Sequence, residues 1–237
     1  MTVPGSAQSI ADRVAAVEDG QVRFSFAARD GVCGDGDRIS THRQTDDWEG
    51  PCESGPARVA IDIEAGVVVD IDTYVGGRWR QRSGSVDLGL VSVIEASEYL
   101  LTLAETSSGD VAERAIFPAS IADSVEIWPR LLRLAKNESR PNDARRAAVF
   151  WLSMIAADVA VEELGELVND AEGDLEIRKM ALFGLSQLSG GQGGPALLDV
   201  ARTSENRELR KQAIFWLGQT DDPRAIALFE EILTARR

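Results

Sequence analysis

Apolar residues recur at two different periods along this chain, and the change of period divides it. Ile10, Val14 and Val17 have helical spacing and predict a short leading helix within a tail covering residues 1–20. The period then drops to two. Val22, Phe24 and Phe26 alternate with Arg23 and Ser25, as in a strand with one buried face. Val59, Ile61 and Ile63 repeat that pattern, Ala65-Gly66 supplies a turn, and Val67, Val69 and Ile71 answer as a return strand. Tyr74 and Trp79 follow, flanking Gly76-Gly77. Between the first strand and this hairpin, Asp30 to Pro56 is rich in Gly, Asp and Ser and predicts a long loop. Residues 21–86 therefore read as a small antiparallel β module of three to four strands. A sheet that small is marginal alone, so it is expected to pack against the first helices that follow.

From about Asp87 the strand pattern stops. Leu88 to Ala104 is apolar at helical spacing and ends at Ser107-Ser108-Gly109-Asp110. The remainder repeats. Ala115-Ile116-Phe117-Pro118, Ala148-Val149-Phe150-Trp151, Ala181-Leu182-Phe183-Gly184 and Ala213-Ile214-Phe215-Trp216 recur at 33, 33 and 32 residues. Arg145, Arg178 and Arg210 precede the last three quartets, and Leu152, Leu185 and Leu217 follow them. Each quartet marks a first helix, and a second apolar helix follows near Val125–Leu134, Val159–Val168, Ala196–Ala201 and Ala225–Leu233. One helix pair cannot bury its own apolar stripe. Stacked pairs bury a continuous core, and the small Ala lets them approach closely. Residues 87–237 thus predict a mainly α array of about four helix pairs, with the β module covering the open apolar face of the first.

The last repeat is the most specific. Leu209-Arg210-Lys211-Gln212-Ala213-Ile214-Phe215-Trp216-Leu217-Gly218 runs into Asp222-Pro223-Arg224-Ala225, where Asp222 suits an N-cap and Pro223 a first helical turn. This resembles the short bacterial HEAT repeat of the phycobilisome-lyase type. The resemblance covers about Asp110 to Arg237 and implies a right-handed α-solenoid of HEAT-like pairs. Gly190 to Pro195 replaces the Asp-Pro-Arg-Ala turn in the third repeat, and Pro118 interrupts the first. The whole chain also resembles a group of secreted bacterial HEAT-repeat proteins, a likeness that brings no activity with it.

Charge narrows the partners. The net charge of −14 disfavours nucleic acid, whose phosphates need a basic stripe, and leaves a basic protein or peptide as the expected partner. Apolar runs such as Val67-Val68-Val69 are too short to span a bilayer. The two cysteines, Cys33 and Cys52, bracket the polar loop and are expected to form a disulfide; the alternative is two unlinked thiols in a reducing cytosol. Met1 to Ser6 has neither a basic nor an apolar leader segment, so no signal peptide is read there. Gly5-Ser6 is compatible with a cloning scar, and Ala7-Gln8-Ser9 resembles the start of a mature secreted chain. The expectation is a mature extracytoplasmic form, periplasmic or secreted, whose leader has been replaced.

No catalytic constellation stands out. His42, the only histidine, lies in a polar loop near Asp46 and Asp47 with no nucleophile motif beside it, and reads as a solvated loop residue. Cys33, His42 and Cys52 are nine and ten residues apart, unlike the usual zinc ligand pairs. Asp35-Gly36-Asp37 lacks the remainder of a calcium loop and reads as an Asx turn. No cofactor, metal or enzymatic activity is expected. Binding is the better prospect. Glu162, Glu163, Glu166, Asp199, Glu230 and Glu231 stack on second helices, which line the concave side of a HEAT solenoid, and Trp128 lies on another. Arg145, Arg146, Arg178, Lys179, Arg210 and Lys211 stack on first helices and read mostly as solvated face with some ion pairing. Trp151 and Trp216 share a repeat position and read as packing between repeats. The expected function is non-catalytic protein binding through the acidic surface. The alternative is a chromophore-lyase-like accessory that binds a small molecule and its acceptor protein, for which fold analogy is the warrant.

Overall fold

The computed structural model describes residues 8–41, 52–78, 83–155, 157–220 and 222–234. His42, Asp46, Asp47, Trp79 and the first seven residues lie outside them. Ten α-helices and seven strands are found among the described residues, so the protein is mainly helical with a small β region. The chain divides into two compact units, Met1–Ile127 and Trp128–Arg237.

The first unit contains α1 (Ile10–Ala15), β1 (Gly20–Phe26), β2 (Cys33–Asp35), β3 (Arg38–Ser40), β4 (Glu53–Ser54), β5 (Ala57–Glu64), β6 (Val67–Tyr74), β7 (Val86–Leu90), α2 (Val93–Thr106) and α3 (Asp110–Ser120). A four-stranded sheet has the order β6-β5-β1-β7. The alternating residues do what their period implies: Val22 faces Ile61 and Phe24 faces Val59 across an antiparallel pair, and all four are fully buried. The β5–β6 hairpin turns through Ala65 and Gly66, both at positive φ, the arrangement whose twist matches that of the flanking strands. The Asp19 carboxylate accepts from the Ala65 N–H at 2.9 Å and holds the non-glycine residue in this turn. The helices cover the apolar face as expected for a sheet this small. Tyr99 of α2 meets Phe24 edge-on at 6.4 Å, and burial pushes its phenol pKa up to about 12. Arg114 of α3 reaches Asp70 of β6 at 2.7 Å.

Three local expectations are corrected here. The face of β1 opposite the core is covered too, since Gln21 and Arg23 are buried and Gln21 donates to Asp62 at 2.8 Å. The stretch Asp30 to Pro56 is more than a loop: β2, β3 and β4 form a second sheet in the order β3-β2-β4. Strands of three, three and two residues are too short to carry a period. Their placement depends on Gly34 and Gly76, because a Cβ on Gly34 would lie 2.5 Å from the Arg38 carbonyl oxygen and one on Gly76 would strike that of Gly34. Finally, the module is not wholly antiparallel. β7 pairs parallel with β1 and occupies residues read from sequence as the start of a helix. It is a five-residue edge strand in which Val86, Leu88 and Leu90 alternate with Asp87 and Gly89, a run too short to be told from the start of the apolar helical spacing that follows it. The expected module end at residue 86 falls on its first residue.

The second unit contains α4 (Trp128–Lys136), α5 (Asn142–Ile155), α6 (Ala157–Asn169), α7 (Leu175–Gln187), α8 (Gly194–Thr203), α9 (Arg207–Leu217) and α10 (Pro223–Thr234). The unit boundary falls between α3 and α4, inside the first expected pair. The first helices α5, α7 and α9 pack side by side in that order. Ala148, Ala181 and Ala213 are fully buried, which permits the close approach their size suggested. A ladder of rings ties these helices together. Phe150 stacks on Phe183 at 6.3 Å, and Trp216 meets Phe183 at 5.0 Å. Trp151 sits edge-on to Phe150 at 5.2 Å. Gly184 stands where neighbouring repeats have Trp, since a Cβ there already presses on Leu164 and Ser153.

Candidate functional site

The second helices are positioned from behind, by the arginines of the first helices. The last carbonyls of a helix lack intrahelical partners and carry the negative end of its dipole. Arg145 donates from Nε to the Ala135 oxygen at 3.0 Å, near the end of α4. Arg178 donates to the Val168 oxygen at 2.9 Å, near the end of α6. Arg210 donates to the oxygens of Ser204 and Glu205, just past α8. These three are not a solvated stripe, and Arg145 is only 4% exposed. The repeat needs a cation here because each first helix must cap the helix before it. Lys179 and Lys211 stay at the surface and pair with Glu176 and Glu208 three residues earlier.

On the solvent side of the second helices the acidic residues are placed as follows. Glu162 and Glu166 of α6, Asp199 of α8, and Glu230 and Glu231 of α10 are exposed, and Glu163 is half-buried. They are not equivalent. Lys136 of α4 binds Glu163 at 3.0 Å and Glu166 at 2.9 Å, and these carboxylates hold its ammonium pKa above the usual value. Arg202 of α8 binds Glu231 at 3.2 Å. Glu162, Asp199 and Glu230 make no ion pair among the described residues. About 100° per residue separates successive side chains on a helix, which turns these three away from the buried faces of α6, α8 and α10. Trp128 opens α4 and is half-buried. α4 contributes cations, Arg133 and Lys136, so Trp128 stands outside the acidic row.

Reading the sequence missed Lys136 and Arg202 as partners of this face. Their separations from the glutamates are 27, 30 and 29 residues, close to one repeat. A search for opposite charges one repeat apart on second helices would have found them.

A cleft of about 310 Å³ is lined by Lys136, Arg145, Glu166, Asp174, Ile177 and Arg178. Another of about 570 Å³ lies between the Gly190–Gly194 turn and the α9–α10 turn, over Leu185, Leu188 and Leu197. At its rim Asp222 acts as the N-cap of α10, as the Asp-Pro-Arg-Ala pattern suggested. Its carboxylate accepts from the Arg224 N–H at 2.9 Å and from the Arg224 guanidinium at 2.6 Å. The guanidinium bond holds the Asp222 pKa below the ordinary 3.8. A carboxylate depressed by folding stabilises the protein fully above the unfolded value, and that contribution is lost as pH falls through the folded value. The melting temperature is therefore expected to drop as pH falls below the ordinary aspartate range. Asp222→Asn should flatten part of that drop in a thermal titration; an unchanged profile would remove Asp222 from the account.

In the larger cleft the Ser186 and Thr220 hydroxyls donate to the carbonyls of Phe183 and Leu217, and the Asp222 carboxylate is held by Arg224. No group of three or more His, Cys, Asp or Glu is placed to hold a metal among the described residues. No helix among them is long and apolar enough to cross a membrane. Cys33 and Cys52 are joined in a disulfide with Cα atoms 5.1 Å apart.

No curated protein matches this sequence. The family model of the PBS lyase HEAT-like repeat matches residues 144–170 and 209–234, which correspond to α5–α6 and α9–α10. The chain therefore carries HEAT-like repeats, the repeat on which its thirty-odd-residue period is built.

Proposed function

We propose that this is a non-catalytic interaction protein that binds a basic protein or peptide along the exposed carboxylates of its second helices. In this reading the helix pairs continue as a right-handed α-solenoid of about four HEAT-like units. The protein works in an extracytoplasmic compartment, periplasmic or secreted, where a disulfide such as Cys33–Cys52 persists. The observation that carries the reading is the row Glu162, Asp199 and Glu230, one exposed carboxylate on each of three successive second helices with no ion-pair partner among the described residues. Glu163, Glu166 and Glu231 form a second rank already met by Lys136 and Arg202. A partner's lysines or arginines would compete with those two cations for it. HEAT-like repeats suit either protein interaction or a lyase-like role, and a docking surface needs no further chemistry from the chain.

Changing Glu162, Asp199 and Glu230 together to Lys is expected to weaken capture of the native partner more than tenfold, about 1.4 kcal/mol or more. Binding by the unchanged protein should also weaken as salt rises, because exposed charges are screened. Partner recovery that survives both the reversal and high salt would refute the assignment. A visible chromophore bound to protein purified from its native source would favour the lyase-like alternative.

A further inference from the structure

We propose that the cleft of about 570 Å³ between the Gly190–Gly194 turn and the α9–α10 turn binds a small organic carboxylate with an apolar body. The cleft exists because the third repeat departs from the pattern of the last. Where the last repeat has Asp222-Pro223-Arg224-Ala225, this turn has glycine at 190, 191, 193 and 194. Gly190 and Gly191 stand at φ +66° and +71°, and a Cβ on either would point into open space. A Cβ on Gly193 would strike the Leu185 carbonyl oxygen, so the turn lies close against the end of α7. It lends Gly190, Gly191 and Gly194 to the lining and thus walls the cleft with backbone. Leu185, Leu188 and Leu197 supply an apolar floor. The volume lies within the range of small-molecule sites.

Arg224 selects the chemistry of the ligand. Its Nε and Nη2 donate to Asp222 at 2.8 and 2.6 Å, which uses one edge of the guanidinium. A guanidinium carries five donors in one plane, and Nη1 has no hydrogen-bond partner among the described residues. The side chain is 53% exposed at the cleft mouth, where its remaining edge matches the two oxygens of a carboxylate. Asp222 does not cancel this cation in full. A Cβ on Gly194 would strike the Asp222 carboxylate, which therefore lies over the first turn of α8 while it caps α10. Gly193, the N-cap of α8, has no side chain to offer there. One carboxylate thus faces two helix N-termini as well as Arg224, and the mouth keeps an excess of positive charge. The Ser186 and Thr220 hydroxyls donate to backbone carbonyls, so the free donors on the rim belong to Arg224 and Gln219. A neutral apolar molecule would leave the guanidinium edge unanswered, and an amine would meet it as a like charge.

In a ligand-observed NMR titration of the whole chain, octanoate should bind at least about tenfold more tightly than 1-octanol, the lower range for a hydrogen bond to a charged group. Arg224→Gln should abolish that difference. Gln219→Trp, at an exposed position on the rim, should fill the cleft and weaken octanoate by at least about tenfold without changing the melting temperature. If Arg224→Gln loosens the start of α10, the Gln219 variant still decides where octanoate sits, and the octanol comparison on the unchanged protein still decides whether charge selects it. No saturable octanoate binding, equal affinity for 1-octanol, or octanoate binding that survives Gln219→Trp would overturn the proposal. The acidic-row reading stands or falls separately, because Glu162, Asp199 and Glu230 do not line this cleft.

Discussion

Removing the Cys33–Cys52 bond is expected to destabilise the N-terminal unit by about 3 kcal/mol, the chain-entropy value for a loop of this size. The bond joins residues 19 apart in sequence. It spans a sheet of very short strands. β2 and β3 have three residues each and β4 has two, and Cys33 pairs with Ser40 on one side and Ser54 on the other. Further anchors are a backbone pair between Gly36 and Val75, at 3.1 and 2.9 Å, and the Glu53 carboxylate, which accepts from the Gly77 N–H at 3.0 Å. A dithiothreitol-reduced sample and a Cys33→Ser, Cys52→Ser double variant should behave alike in urea. Hydrogen exchange should show protection lost first at residues 33–40 and 53–54, with α5 to α10 unaffected. Equal midpoints for the oxidised and reduced proteins would mean that the bond contributes nothing to this unit.

The second large effect is expected at Arg145, where Ala should cost about 3 kcal/mol, the upper range for a hydrogen bond made by a charged group. Two bonds are lost there, to the Ala135 oxygen at 3.0 Å and to Asn142 Oδ1 at 3.2 Å. The end of α4 would keep a carbonyl that water reaches poorly, because the side chain that fills the site is itself buried. Arg145→Lys should recover only part of the loss. An ammonium keeps the charge at the helix terminus but cannot reproduce the planar fork that serves both acceptors. Arg178→Ala should cost less, since Arg178 is only half-buried and its second bond, to the Ala171 oxygen, is long at 3.5 Å. Chemical denaturation of the three variants gives the ranking directly. Equal losses at Arg145 and Arg178 would mean that burial of the cap is irrelevant.

These two predictions come from opposite ends of what could be read in advance. The disulfide pairing was expected from two cysteines bracketing one polar segment. The arginines stand at one repeat position, yet their sequence context reads as surface charge. Nothing near Arg145 in sequence says that its acceptor is a carbonyl ten residues back, on another helix. The same limit applies to the acidic face. Its members were legible because they recur on second helices, whereas their division into paired and unpaired carboxylates depends on Lys136 and Arg202, which reach them from neighbouring helices.

Periodicity by itself determined the helix pairs of the second unit, the β5–β6 hairpin and the strand that pairs with it, because each buries one face and burial imposes a period. It determined the N-cap at Asp222 and the first-turn Pro223, because both are local. The tertiary structure alone decided β7, whose five alternating residues merge with the apolar run of the helix that follows, and the short β2–β4 strands, which are set by glycine backbone contacts and a covalent bond. It also decided that the conserved-in-repeat arginines face inward. A cation next to an Ala-rich helix is indifferent between water and a helix terminus until the preceding helix presents its unpaired carbonyls, and that presentation exists only once the helices have packed.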